Sequence, residues 1–511
     1  MGSTFMGLET SKRGLQTQQS ALYTTGHNIS NANTLGYSRQ RVNMEATGGF
    51  PGVGLNAGTM PGFLGTGVQA GSIQRIRDSF VDQQYRGESN KLGYWDTRSK
   101  AIGQLEDIMN EPSEYGLQKS LSQFWSSLED LAVHPENGGA RKVVIERGIA
   151  VADSFNYMNK SLEELKTNTG QEIGISTKEI NSIMSQIAGL NEQISSIEPN
   201  GYLPNDLYDA RDVLVDKLAQ FLPIETSYTK SGGNASAVAE GSMTISIKLE
   251  GNPTPEPLII VSGKDATEMT LDGANADGYP SGPISGFSFS ANGQVVGGSM
   301  AASAMKDTGS LKSLVNSYGS TGKTGLIPDM IAKLDKMANA FMKAFNDQHK
   351  AGYTLNGTGT DPDGDKIPFF TGEGTGAKGI KVSEAIIDDP SLVSASSKPG
   401  EEGNGENAKL LGKVQFDDKV GLDGATIQTY FQGVIGQLGV DGQQAEKMKF
   451  NSETLMISVS NRRDSISAVS LDEEMTNMIQ FQQAYNASAR MVTVVDETLD
   501  KIINGMGVVG R

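Results

Sequence analysis

Three short stretches of this 511-residue chain carry residue types that could do chemistry. Asp361, Asp363 and Asp365 alternate as carboxylates do at the start of a calcium loop. The sixth position of such a loop needs glycine for its sharp turn, and here it is Lys366. The twelfth is Gly372, where a bidentate Glu belongs, so the stretch reads as a polar turn. Gly65, Gly67 and Gly71 are spaced like part of a phosphate loop. No strand-to-helix pattern follows them, so they read as a tight turn entering a strand. Asp209, Arg211 and Asp212 fall on one predicted helix with no partner acid or base, which points to structural ion pairing. His27, His134 and His349 are the only histidines, and they are far apart. There is no cysteine, hence no thiol nucleophile, thiolate metal site or disulfide. No catalytic, metal-binding or cofactor-binding residue is assigned, and an enzyme is not expected.

The charge balance narrows the partners. Lys and Arg total 43 against 60 Asp and Glu, a formal net charge of −17. That disfavours phosphate backbones and anionic membrane surfaces. No basic stretch interleaves with aromatics, so no nucleic-acid partner is expected. No apolar run approaches the roughly 20 residues of a membrane span, so no membrane insertion is expected. The first residues lack a basic region followed by an apolar one, so a Sec-type signal is not expected either.

The elements that would position such residues follow the glycines and the heptads. Glycine is 62 of 511 residues, about 12% against an average of about 7%. Residues 45–72, 226–325 and 351–380 are glycine-rich and read as turns and sheet, because glycine weakens helix interiors. Leu8, Leu15, Leu22 and Ile29 fall every seven residues, a thin apolar seam on an N-terminal helix. Residues 67–76 read as a strand paired with 37–44. From about 78 to 222 the pattern is helical. Ile173, Ile180, Ile187 and Ile194, with Ile183, Leu190 and Ile197, make a full heptad repeat. After Pro204, Leu207, Leu214, Leu218 and Phe221 predict one apolar helix face. Met243, Ile245, Ile247 and Leu249 alternate as in a half-buried strand, and Phe287 and Phe289 precede an Asn292–Gly293 hairpin signal. A helix then opens near Pro328, 351–380 reads as a β-excursion, and 381–450 is mixed, with a helix near Tyr430–Leu438. At the C-terminus Leu471, Met478, Tyr485, Val492 and Leu499 repeat the seven-residue spacing. Matching thin seams at both ends predict that the ends pack together.

The expected fold is mainly α with an inserted β domain, in a nested multidomain architecture. Residues 1–45 and 465–511 form a terminal coiled-coil pair. Residues 46–225 and 326–464 form a helical core domain with small β excursions and a long helix. Residues 226–325 form an inserted outer β-rich domain. So thin a seam must lean on the body of the protein or on other subunits.

Residues 27–42 carry a resemblance. Asn28, Asn31, Asn33, Thr34, Gly36 and Tyr37 follow the N-terminal seam as they do in the axial proteins of bacterial flagella, the family of rod, hook and hook-associated proteins. Ser38, Arg39 and Gln40 resemble most closely the hook-associated branch at the hook–filament junction. Residues 65–80, 121–141 and 205–224 resemble further family segments. The most specific is 470–492, with its Phe481-Gln482-Gln483-Ala484-Tyr485 run. The resemblance covers roughly 1–225 and 326–511; 226–325 matches only as a variable insertion.

This resemblance implies a structural, non-catalytic subunit, extracellular and part of the bacterial flagellum, needed for filament assembly and motility. It implies a homo-oligomeric ring between hook protein and the second hook-associated junction protein. It also implies unfolded export through the flagellar type III apparatus, with an export chaperone docking on the C-terminal amphipathic helix. Two alternatives stay open: a hook or rod axial protein, and a surface adhesin acting through 226–325.

Overall fold

The computed structural model describes residues 5–49, 65–109, 116–250, 257–291, 294–355, 357, 366–418 and 420–505. The chain opens with α1 (Phe5–Ser30), then β1 (Gln40–Ala46) and β2 (Val68–Arg75), which pair antiparallel. Helices α2 (Ser79–Met109), α3 (Leu117–Val133), α4 (Gly138–Ile197) and α5 (Asn205–Phe221) follow. Next come β3 (Ile224–Thr229), β4 (Ser242–Ile247), β5 (Leu258–Ser262), β6 (Asp265–Ala266), β7 (Glu268–Leu271), β8 (Gly286–Ala291) and β9 (Gln294–Ala301). They form two antiparallel sheets, ordered β3-β4-β5-β6 and β7-β8-β9. Helices α6 (Ser310–Tyr318) and α7 (Leu326–Ala351) lead to the β10 (Phe370–Thr371) and β11 (Lys381–Val382) ladder. Helices α8 (Glu384–Asp388), α9 (Glu406–Lys413), α10 (Ile427–Ser467) and α11 (Leu471–Asp500) close the chain.

α4 is the axis of the body. It starts where the Asn137 side chain caps the amides of Gly139 and Ala140, and it runs 60 residues. Its first half enters one core with α3, α7, α9 and the start of α10, around Phe124, Trp125, Phe155, Phe341, Phe345, Phe369 and Phe370. Gly148 lets the Phe369 ring approach α4: a Cβ there would meet its Cε1 at 2.8 Å. The isoleucine heptad of the second half enters another core, with α5, α6 and the strands. The predicted alternation in β4 is observed, with Met243, Ile245 and Ile247 all inward. The Asn292–Gly293 turn lies outside the described residues, and the Asp361–Asp365 run does too.

A device recurs where strands meet helices. The side chains of Asn28, Asn181, Asn191 and Asn346 each donate to the carbonyl and accept from the amide of one extended residue. Those residues are Gln40, Met269, Met243 and Phe370. A helix has no free backbone ladder to offer an edge strand, and a carboxamide supplies one residue's worth.

Two expectations are corrected and a third is extended. On α5 the buried row is Tyr208, Arg211, Asp212, Val215, Leu218 and Ala219, so Leu207 and Leu214 are flanking residues. Ionic partners inside the protein satisfy charges that hydrophobicity alone would place outside. The 351–380 stretch contributes only the two-residue β10 ladder and isolated bridges among the described residues. α10 is 41 residues long, far beyond Tyr430–Leu438. Its glycines are not all breakers: Gly442 lets α10 lie against Ile102 and Glu106 of α2, where a Cβ would meet Glu106 Oε1 at 2.6 Å.

Candidate functional site

The two chain ends meet, as their matching periodicities predict. α1 and α11 pair antiparallel, and the contacts define the register. A Cβ on Gly7 would sit 3.5 Å from Val495 Cγ2, and one on Gly14 3.9 Å from Ser488 Cβ. Ala21 and Phe481 line one cleft of about 400 Å³. Asn28 Nδ2 donates to Glu474 Oε2 at 3.1 Å. The facing rows are thus Gly7, Gly14, Ala21 and Asn28 on α1, and Val495, Ser488, Phe481 and Glu474 on α11.

The expected seam residues stand beside these rows. Leu8, Leu15, Leu22 and Ile29 are each half-buried, one position round the helix from the small-residue row. Met478, Tyr485, Val492 and Leu499 are half-buried on the inner side of α11, while Leu471 is 49% exposed at its start. Beyond the seam, Met475, Ile479, Met491 and Val494 are all about half exposed on the outer side of α11. Small residues at the closest approach explain the thin leucine seam: glycines bring the backbones together, and the leucines only flank the contact.

The family-like motif after α1 is a clasp at the base of this hairpin. Gly36 adopts φ +79°, and a Cβ there would strike Val213 of α5. Tyr37 Oη donates to Asn28 Oδ1 at 2.8 Å, and the Gln40 amide donates to the same oxygen at 3.0 Å. Burial first, then Asp206, Asp209 and Glu474, pushes the Tyr37 hydroxyl above its ordinary value, which keeps it a donor. Asn31 holds the end of α1 through its bond to the His27 carbonyl. Gln40 Nε2 donates to Asp206, and Asn205 donates to Gln40 Oε1. Arg39 crosses to the C-terminal half: Nε donates to Glu474 at 2.7 Å and Nη1 to Glu473 at 2.6 Å. Asn33 and Gln483 are exposed, and Ala484 is half-buried on α11.

Below the clasp lies an ion-pair hub. Arg75 binds Asp209 at 2.6 Å and Asp212 at 2.9 Å, and also Glu240. Arg77 binds Asp82 at 2.7 Å and Asp212 at 2.9 Å. Arg86 joins Asp212 at 3.1 Å to Asp216 at 2.8 Å. Arg211 reaches Glu240 at 2.8 Å. Arg463, from α10, binds Asp216 at 2.7 Å and Asp82 at 3.2 Å. Ser38 donates its amide and hydroxyl to Asp209. Burial alone would raise the Asp212 carboxyl; Arg77, Arg75 and Arg86, with Arg211, outweigh it and hold that carboxyl far below the usual range. Asp209 is raised, because burial outweighs Arg75 and Ser38 there.

Five arginines face five carboxylates here, drawn from β2 and the turn after it, α2, α5, the turn before β4, and α10. The chemistry this supports is mechanical: a buried, charge-balanced joint between the terminal hairpin and the body. The predicted ion pairing of Asp209, Arg211 and Asp212 is its α5 part. Arg75, Arg77, Arg86, Glu240 and Arg463 were not legible as partners, since no local spacing links them. Among the described residues no group of three His, Asp or Glu is placed to hold a metal ion. No described helix is long and apolar enough to cross a membrane.

Comparison with known proteins gives a consistent picture. Residues 102–363 match the model for the flagellar hook-associated protein FlgK helical domain. Residues 8–37 match that for the flagella basal body rod protein, and 463–505 that for the flagellar basal body rod FlgEFG protein C-terminal region. Flagellar hook-associated protein 1 of Bacillus subtilis is 44% identical over the full length of both chains. The Escherichia coli protein of that name is 24% identical, over 96% of this chain and 98% of its own. The solved flagellar hook junction protein FlgK of Burkholderia pseudomallei superposes with a TM-score of 0.58 at 14% identity, covering 75% of this chain and all of that one. That last likeness concerns the fold.

Proposed function

The chain belongs to the flagellar hook-associated protein 1 family, and on that premise we propose that it is a structural subunit of the junction between flagellar hook and filament. The observation that carries this reading is the terminal hairpin. Its inner rows are satisfied within the subunit, yet Met475, Ile479, Met491 and Val494 leave apolar surface on the outer side of α11. Copies of the same chain arranged as a ring would cover that surface. Hook protein would lie on one side of the ring and the second hook-associated junction protein on the other. The terminal pair would be the innermost layer and the two-core body the next, with the 226–325 strands of its second core on the outer side.

Before assembly, α11 would present the same apolar side to an export chaperone, by a helix-in-groove mode. Export would proceed unfolded through the flagellar type III apparatus. A chain without cysteine suits both threading and an oxidising exterior. The role is one of assembly, with no chemistry asked of any side chain. The test is the double substitution Met475→Glu and Ile479→Glu. Both side chains are exposed, so the isolated subunit is expected to keep its melting temperature within about 2 °C. Cells carrying it are expected to lose filaments and swimming. Normal filaments would overturn the assignment of this side to subunit contacts.

A further inference from the structure

The two facing rows of the hairpin have an unusual property: they nearly repeat. Gly7, Gly14 and Ala21 recur every seven residues opposite Val495, Ser488 and Phe481. On α1, residues this small supply no large knob that fits only one hole, so sliding α11 by one heptad, about 10 Å, sets Val495 and Ser488, and in one direction Phe481, against another small α1 residue. The fourth pair breaks the repeat. Glu474 is 2% exposed and occupies a position where a helix seam ordinarily holds an apolar side chain. Its two oxygens are used by different partners, Oε2 by Asn28 Nδ2 at 3.1 Å and Oε1 by Arg39 Nε at 2.7 Å. Asn28 in turn is locked to both backbone groups of Gln40.

We propose that the Asn28–Glu474–Arg39 clasp is the register pin of the terminal hairpin: it selects one antiparallel alignment of α1 and α11 from several that the small-residue rows would accept. In a slipped alignment Asn28 faces Phe481, or Glu474 faces Ala21. Either way a carboxylate loses its donors, and burying an unpaired charge is far costlier than moving a serine or a valine. Asn28, Arg39 and Glu474 act as positioning residues, since they set where every outward side chain of α11 stands relative to α1. The inference concerns the single subunit, and it stands or falls independently of whether α11 contacts neighbouring copies.

The absence of cysteine makes the test clean. Gly14→Cys with Ser488→Cys reports the native register, because the Cβ atoms would lie 3.9 Å apart, within disulfide reach. Gly7→Cys with Ser488→Cys, and Ala21→Cys with Ser488→Cys, report a slip of one heptad either way. In the purified full chain the native pair is expected to close under mild oxidation, and the slipped pairs to lag by about tenfold or more. With Glu474→Leu added, the slipped pairs are expected to rise to within about twofold of the native one. Glu474→Gln, whose carboxamide keeps one acceptor for the two donors of Asn28 and Arg39, is expected to fall between the native chain and Glu474→Leu. If Glu474→Leu still closed only the native pair, the register would reside elsewhere and the proposal would be overturned. Loss of all three crosslinks would overturn it too, because the clasp would then hold the helices together and not align them.

Discussion

His349 shows how a single side chain can report on the body. It is wholly buried at the end of α7, and its two ring nitrogens have fixed roles. Nδ1 lies 3.2 Å from the Ile367 carbonyl, which can only accept, while Nε2 accepts from the Ser394 amide at 3.0 Å. The neutral ring is therefore required, and a second proton would set N–H against N–H. Burial, with Lys366, Lys350 and Arg141 nearby, pushes His349 down to about 4 despite its bond to Ile367. The unfolded chain, titrating at about 6.5, then binds the extra proton first. Stability from this residue is present above about pH 6.5, falls as the pH drops, and is fully lost below about 4, a swing of up to about 3 kcal/mol. Urea unfolding across that window is expected to show this slope in the native protein and a flatter one in His349→Gln. Identical slopes would contradict the assignment. Nothing in the sequence near His349 signalled this, because its partners lie 18 and 45 residues away.

At the scale of elements, the hub decides how the chain ends join the body. Arg463 is the α10 member, binding Asp82 of α2 and Asp216 of α5. It also covers the Tyr85 ring at 4.4 Å. Arg463→Ala removes one partner and leaves two largely buried carboxylates short of a cation. Breaking such a pair costs about 3 kcal/mol or more, so the urea midpoint is expected to fall accordingly. A shift below about 0.5 kcal/mol would mean that the pair is no better than a surface one. The elements themselves were mostly legible. Periodicity located α1, α4, α11 and β4, since a repeated apolar residue reports which side is buried. It located α5 with Leu218 in the core and Leu214 and Phe221 against it, but missed the ionic part of its buried side and the small facing row of α1, Gly7, Gly14 and Ala21. Hydrophobic patterning cannot show a contact made by charge or by the absence of a side chain. The clasp was visible only as the motif Asn28, Gly36, Tyr37, Arg39 and Gln40. That run marks a site without saying which C-terminal carboxylate completes it.

At the scale of the whole molecule, the nested order was read correctly from two matching seven-residue spacings, 442 residues apart between Ile29 and Leu471. What the sequence did not show is how tightly the strands of 226–325 depend on helices: they share one core with the second half of α4, α5 and α6. A body threaded by one 60-residue helix is joined through a charge-balanced hub to a hairpin with exposed apolar side chains on α11, the surface on which the proposed subunit contacts rest. On the proposed function, this subunit forms the junction on which the filament is built. Electron microscopy of cells lacking the gene tests it most directly. Complete hooks without filaments are expected, with filaments restored by the gene; filaments growing from hooks in its absence, or cells without hooks, would contradict the junction role.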